Sequence, residues 1–271
     1  MCRVLSISES AYHKWKKKEL DQACEQVNES IIKIYKANKK RYGSPRITEE
    51  LNDQGIKISK STVARRMKNL SIKALRKRRF VPTTDSNHDY PIAPNILNRA
   101  FDVDQLNKIW VSDITYIRVA NRWCYLTIIM DLADRMIIAW TLSNNLTAEC
   151  TSIATYKKAI NQRGTHENLI FHSDRGVQYA CTHFRNLMVK HNNIQSMSRK
   201  GNCWDNAVAE SFFKTIKYEC VQNRVFIDFA IAQLELFRYI DGWYNTVRKH
   251  SKIGYLSPIN MHKLLLTKLV G

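Results

Sequence analysis

Three apolar, β-branched and aromatic runs follow one another between residues 108 and 144 with only short turns between them: KIWVSDITYIRV, RWCYLTIIMDL and MIIAWTLSN. Runs of this kind read as consecutive antiparallel strands and rule out an all-helical fold for this part of the chain. Helical periodicity then alternates with short strands. TAECTSIATYKKAINQRG reads as a helix with a glycine stop, NLIFHSD as a strand, THFRNLMVKHNN as a helix, IQSMS as a strand and WDNAVAESFFKTIKYECV as a helix. The order β-β-β-α-β-α-β-α predicts an α/β fold with a mixed sheet flanked by helices.

The chain divides by composition. Residues 1–80 carry 21 Lys and Arg against 8 Asp and Glu, which is most of the net charge of +19. Such an excess favours a polyanionic partner, because cations that neutralise phosphates release condensed counterions. The segment is also helix-periodic. DQACEQVNESIIKIYKANKK places Ala23, Val27, Ile31 and Ile34 on one face. In SPRITEELNDQG, Ser44 and Pro45 open a helix that Gly55 stops, and Ser59 or Ser61 can cap STVARRMKNL. Ile47, Leu51, Ile56, Val63, Met67 and Leu70 can then bury together. This is a helix-turn-helix outline, with Lys60, Arg65, Arg66 and Lys68 on or beside the second helix as DNA contacts. The basic tail KALRKRRF follows. A linker at 81–106, interrupted by Pro82, Pro91 and Pro94, separates this region from a core at 107–225, and 226–271 forms a helical extension.

No apolar run of ~18 residues offers a membrane span. The seven cysteines are scattered with no C-x-x-C pair, which argues against a zinc ribbon or a redox motif. No secretory signal precedes the basic start. A reduced, cytoplasmic protein is expected.

The acids carry the chemistry. Asp113 lies inside an otherwise apolar strand, where a carboxylate must be paired or must bind metal. Asp174 ends a later strand in FHSDRGVQY, and Glu210 sits in a helix with Asn206 one turn before it and Lys217 two turns after it. Those three helical residues share a face that can point at the strand ends. Three carboxylates with little else between them suit hard divalent cations such as Mg²⁺, and two such ions can drive an in-line displacement at phosphorus. Asp131 and Asp134 read as a turn pair. Asp205 reads as a cap on the Glu210 helix, His172 as either a site residue or a satisfied buried histidine, and Asp228 and Asp241 as bystanders.

The strings WVSDITYI, FHSDRGVQY and GNCWDNAVAESFFKTIKYE, with 35 residues between Asp174 and Glu210 and a base seven further on, resemble the DDE transposases of bacterial insertion sequences. The likeness is to the second-reading-frame product of the frameshifting group, related to retroviral integrases. MCRVLSISESAYHKWKK, YGSPRI and WYNTVRKHSKIGYLSP extend it over nearly the whole chain. The resemblance implies a ribonuclease H-like core, Mg²⁺ or Mn²⁺ with two ions in the active complex, and strand cleavage and transfer at element ends. It makes Asp113, Asp174 and Glu210 the catalytic and metal-binding triad. It also implies double-stranded DNA as partner, a homo-oligomer on DNA, an upstream transposase portion, and residence with the bacterial nucleoid.

Arg175 is either a phosphate contact or a structural ion pair. Asn206 and Lys217 are further DNA contacts, and the C-terminal motif offers Arg248 and Lys249. The His/His/Cys/Cys zinc module of retroviral integrases has no counterpart here. Two other functions stay open at this stage: a DNA-binding regulator without catalysis, and a stand-alone nuclease of the same fold.

Overall fold

In the computed structural model, residues 7–19, 22–75, 89–221 and 225–270 are described. Most of the basic tail and the start of the expected linker, with Pro82, lie outside these residues. The chain forms two compact units, Met1–Arg76 and Lys77–Gly271.

The first unit is helical: α1 (Glu9–Glu19), α2 (Gln22–Ala37), α3 (Ser44–Asp53) and α4 (Lys60–Asn69). Ile31, Ile34, Tyr42, Ile47, Leu51, Val63 and Met67 are all buried, so α2 supplies a third wall to the expected two-helix core. Ser59 caps α4 by accepting the Thr62 N–H at 3.2 Å. Ser44 does not cap α3; it is the first helical residue, and Gly43 holds the cap position without a side-chain bond. Pro45 occupies the first turn, where its missing N–H costs nothing. Lys60, Arg65 and Lys68 are exposed, while Arg66 is half-buried and donates to Asn28 Oδ1 at 3.0 Å, joining α4 to α2.

The second unit is built on a five-stranded sheet of β1 (Ile109–Val119), β2 (Arg122–Asp131), β3 (Ile137–Ser143), β4 (Ile170–Ser173) and β5 (Ile194–Met197), in the spatial order β3-β2-β1-β4-β5. The first three strands pair antiparallel. β4 and β5 are added parallel on the far side of β1. A π-helical turn, Glu149–Ile153, leads into α5 (Ala154–Arg163). After β4 come α6 (Val177–Ala180) and α7 (Thr182–Lys190), and after β5 come α8 (Ala207–Ile216), α9 (Phe229–Tyr239) and α10 (Pro258–Val270).

Strand alternation divides the apolar side chains into two layers. One face of the sheet, with Val111, Ile117, Ile128 and Met130, packs on Phe212, Ile216, Leu236 and Tyr244 from the α8–α9 side. The other face, with Trp110, Ile129 and Phe171, packs on Tyr156, Phe184 and Met188 from α5 and α7. Residues beyond 225 therefore share the central core. Asn245 fastens them to the edge strand: its Nδ2 donates to the Ile137 carbonyl at 2.9 Å, and its Oδ1 accepts the Ile137 N–H at 3.0 Å.

Candidate active site

Asp113, His172 and Asp174 alternate onto the sheet face that α8 covers. In the parallel pairing of β1 with β4, Val111 lies opposite His172. The same offset, carried two residues on, sets Asp113 against Asp174, just past the end of β4. Glu210 approaches from α8. The anchor for that helix is Asn206, whose Nδ2 donates to the Ser112 carbonyl at 3.2 Å, next to Asp113 in the chain. Ser112 is itself fixed: its hydroxyl donates to the Ile128 carbonyl at 2.7 Å and pairs with the buried Tyr179 hydroxyl at 2.7 Å.

Asp113 is only 8% exposed, and one of its oxygens accepts the Ile114 N–H at 2.8 Å. Its proton affinity stands well above that of an ordinary carboxyl, first through burial and then through the negative charge of Asp174, with Glu210 adding to it. Asp113 therefore lies in the negative field of both other acids, and Lys217 partly offsets it. Burial brings the Lys217 ammonium down to about 8, against the pull of Asp113. Asp174 is oriented by the Gly176 N–H at 2.9 Å. Glu210 accepts from Lys214 at 3.2 Å. Among the described residues, no group of three or more His, Cys, Asp or Glu side chains stands arranged to hold a metal ion.

Gly176 has φ −58°, which any residue can adopt, so backbone freedom does not explain it. A Cβ there would lie 3.0 Å from Asp174 Oδ1 and 3.1 Å from Gln178 Oε1. The close approach that glycine permits is to the acid's own side chain.

Two expected DNA contacts are corrected by burial. Asn206 is 4% exposed and holds α8 to β1, so its amide is a tether. Arg248 is 5% exposed; its Nη2 and Nε donate to Glu219 at 2.9 and 3.0 Å, and Tyr239 donates to the same carboxylate at 2.8 Å. A guanidinium enclosed in this way has no face to offer a phosphate. Arg175 is half-buried and donates from Nε to the Ser198 carbonyl, and Lys249 is half-buried.

Integrase core domain models match residues 104–203 and 193–258, and an HTH-like domain model matches residues 21–80. The transposase InsF of insertion sequence IS3A from Escherichia coli strain K12 is 36% identical over 266 residues, covering 95% of this chain and 91% of that protein. The chain belongs to the DDE transposases of bacterial insertion sequences. An uncharacterized 31 kDa protein of insertion element IS600 from Shigella sonnei is likewise 36% identical, over 95% of the transposase and 96% of its own length. A chain of the simian T-cell lymphotropic virus intasome, solved by electron cryomicroscopy with the PP2A regulatory subunit B56 gamma, shares the fold. Its TM-score is 0.50 at 15% identity, covering 86% of the transposase and 74% of that chain. The sheet with its three antiparallel and two parallel strands is thus the ribonuclease H-like fold of an integrase core, and the transposase is a polynucleotidyl transferase that acts in DNA transposition. Among the described residues, no helix is long and apolar enough to cross a membrane.

Several polar residues of the transposase have structural partners that the sequence hid. Asp205 is fully buried and does not cap α8. It accepts from Arg99 Nε at 2.8 Å, Arg199 Nε and Nη2 at 2.8 Å, the Arg199 N–H at 3.0 Å and Asn95 Nδ2 at 2.9 Å. The Arg199 bonds, more than any other contact, hold its carboxyl far below the usual range. Asp131 and Asp134 are buried beside Arg163, which donates to Asp134 at 2.8 Å, and His262 reaches Asp134 at 2.9 Å. His172 is satisfied by Ser196 at 2.9 Å and Ser198 at 3.3 Å, and burial takes it down to about 4, so it is a neutral structural residue. Asp228 caps α9, and Asp241 accepts the Trp140 indole N–H at 2.7 Å. Partners this far apart in sequence leave no local signal. The runs GNCWDNA and MDLADR mark the positions without saying what they bind.

Proposed function

We propose that the transposase cleaves and joins DNA strands at insertion-sequence ends in one site formed by Asp113, Asp174 and Glu210. What supports the reading is the field that Asp174 and Glu210 exert on the buried Asp113, from three segments related by the β1–β4 pairing and the Asn206 tether. The donor set is all oxygen, and the negative field at Asp113 is what a hard divalent cation would relieve. These three acids would hold Mg²⁺ or Mn²⁺, two ions in the active complex. Bound there, the ions supply charge neutralisation and polarisation of the phosphodiester.

The chain's own groups then have distinct tasks. Asp113, deepest of the three and under the field of both others, would be a ligand for the ions. Asp174 is aimed by the Gly176 N–H, and Glu210, now paired with Lys214, would be a further ligand. Lys217, beside Asp113, meets the scissile phosphate. Water attacks the phosphodiester at the element end and the P–O bond to the 3′ oxygen breaks; that 3′ hydroxyl then attacks a second phosphodiester, whose own 3′ oxygen leaves as the P–O bond to it breaks. No covalent protein intermediate is required.

The exposed Lys60, Arg65 and Lys68 of α4, with Arg66 beside them, contact duplex DNA. Arg175 and Lys249 are further phosphate contacts near the core. Joining two ends calls for at least two protomers, and an upstream transposase portion completes end recognition in the cytoplasm, at the nucleoid. The test is cleavage and joining of a labelled element-end duplex in Mg²⁺, Mn²⁺ and EDTA, comparing wild type with Glu210→Gln. Joined products that need metal and vanish in Glu210→Gln support the reading. Metal-independent products, or a Glu210→Gln variant as active as wild type, refute it.

A further inference from the structure

We propose that the Trp204 indole is a stacking platform for an unpaired DNA base next to the three carboxylates. The inference rests on the active-site reading above for its location and on Trp204's own surroundings for its chemistry. Trp204 is 69% exposed, among the most exposed large apolar side chains described. A single apolar side chain at a surface is ordinary in itself. The backbone that carries this one is not.

Trp204 lies in a 3-10 turn, Cys203–Asn206, that is clamped at its following residues. Asp205 is fully buried under bonds from Arg99, Arg199 and Asn95. Asn206 is 4% exposed and bonded to the Ser112 carbonyl beside Asp113. The indole is therefore held outward on a fixed base, one residue from the clamp and two from the tether to the catalytic strand. A residue so anchored loses little further conformational freedom on binding a flat ligand.

The charges nearby select the ligand. Arg99 and Arg199 keep 44% and 48% of their side chains exposed while paired to Asp205, and Lys200 is exposed as well. Three cations against one carboxylate leave a positive rim beside the indole, which suits a nucleic acid strand. A positive groove with an exposed aromatic ring binds single-stranded segments by stacking on any base. A base that leaves the duplex beside the cleavage site gains a stacking partner in such a ring. Trp204 supplies that partner and so favours ends that fray.

The test measures binding in EDTA, so it does not depend on cleavage. The probes are a short duplex with an unpaired 3′ tail containing 2-aminopurine and the same duplex with a blunt end, titrated with the full chain. Wild type should quench the 2-aminopurine and prefer the tailed duplex. Trp204→Ala should lose the quench and bind the tailed duplex about 5- to 100-fold more weakly, with blunt-duplex affinity held within about twofold. Trp204→Phe should keep most of the preference, and Trp204→Leu, apolar without a π-face, should behave like Trp204→Ala. Unchanged quench and affinity in Trp204→Ala, equal losses on both probes, or a Trp204→Leu variant equal to wild type would overturn the platform. A chain that discriminates tails through Trp204 but never cleaves, even with the upstream transposase portion added, would instead refute the active-site reading and leave the platform standing.

Discussion

The Asn206 amide donates to the Ser112 carbonyl at 3.2 Å, joining the helix that carries Glu210 to the strand that carries Asp113. This bond, added to the apolar packing of α8 on the sheet, relates two acids that lie far apart in the chain. A side chain that looks like a DNA contact on the helix surface is a strut inside the protein.

Asn206→Ala should therefore separate stability from activity. A single buried hydrogen bond contributes about 1 kcal/mol, so unfolding of the variant should shift by about that much. Strand cleavage should fall by about 10- to 100-fold, because small misplacements of reacting groups are costly. Denaturant unfolding and single-turnover cleavage on the same preparation check the two numbers.

Gly176→Ala gives the same dissociation by another route. Its Cβ would press on Asp174 Oδ1 at 3.0 Å, while the backbone at φ −58° accepts alanine without strain. Fold and unfolding midpoint should be retained, and cleavage should drop by about 10-fold or more as Asp174 is displaced. Gly176→Ala with full activity would show that Asp174 has room to move.

Arg248→Ala should act on stability. Removing one partner of a buried ion pair strands the other charge and costs about 3–5 kcal/mol. Glu219 would be left with only the Tyr239 hydroxyl among the bonds described above. Lys249→Ala, half-buried beside it, should cost far less. Thermal or denaturant unfolding of the two variants side by side decides between a structural arginine and a DNA contact.

A pH effect follows from Asp131, whose carboxyl is pushed up to about 6 by burial first and by Asp134 second. A folded-state value above the unfolded one means that the fold favours the protonated form. Its contribution to stability is fully present below about pH 4 and is lost as pH rises through about 6. The stability of wild type relative to Asp131→Asn should therefore decline between about pH 4 and 6 and then level off. Unfolding of both proteins across that range measures it, and a difference that rises with pH would contradict the assignment.

Much of the fold is legible in the chain because the strands alternate or run apolar and the helices repeat at their own period. The strands β1 to β5 stand within a few residues of KIWVSDITYIRV, RWCYLTIIMDL, MIIAWTLSN, NLIFHSD and IQSMS. The four-residue α6 is too short to show a period. Asp113 is legible for the opposite reason, as a charge where the pattern calls for an apolar residue. What stays hidden is pairing at a distance. Asp205 sits where a cap would, but Arg99 and Asn95 reach it from 106 and 110 residues earlier in the chain. Arg248 lies in a basic run that looks solvated, and its partner Glu219 belongs to a different turn of chain. Sign and spacing give the kind of residue, and only the packing shows whether it faces water or its opposite charge.

The central claim is that Asp113, Asp174 and Glu210 bind the same cations. Iron-directed backbone cleavage tests it most directly: Fe²⁺ replaces Mg²⁺, ascorbate and peroxide generate radicals at the bound ion, and mass spectrometry maps the cuts. Cuts next to all three residues, suppressed by excess Mg²⁺ and lost in Asp113→Asn, are the predicted result. Cuts centred on Asp131 and Asp134, or cuts at one of the three acids that persist in Asp113→Asn, would contradict it.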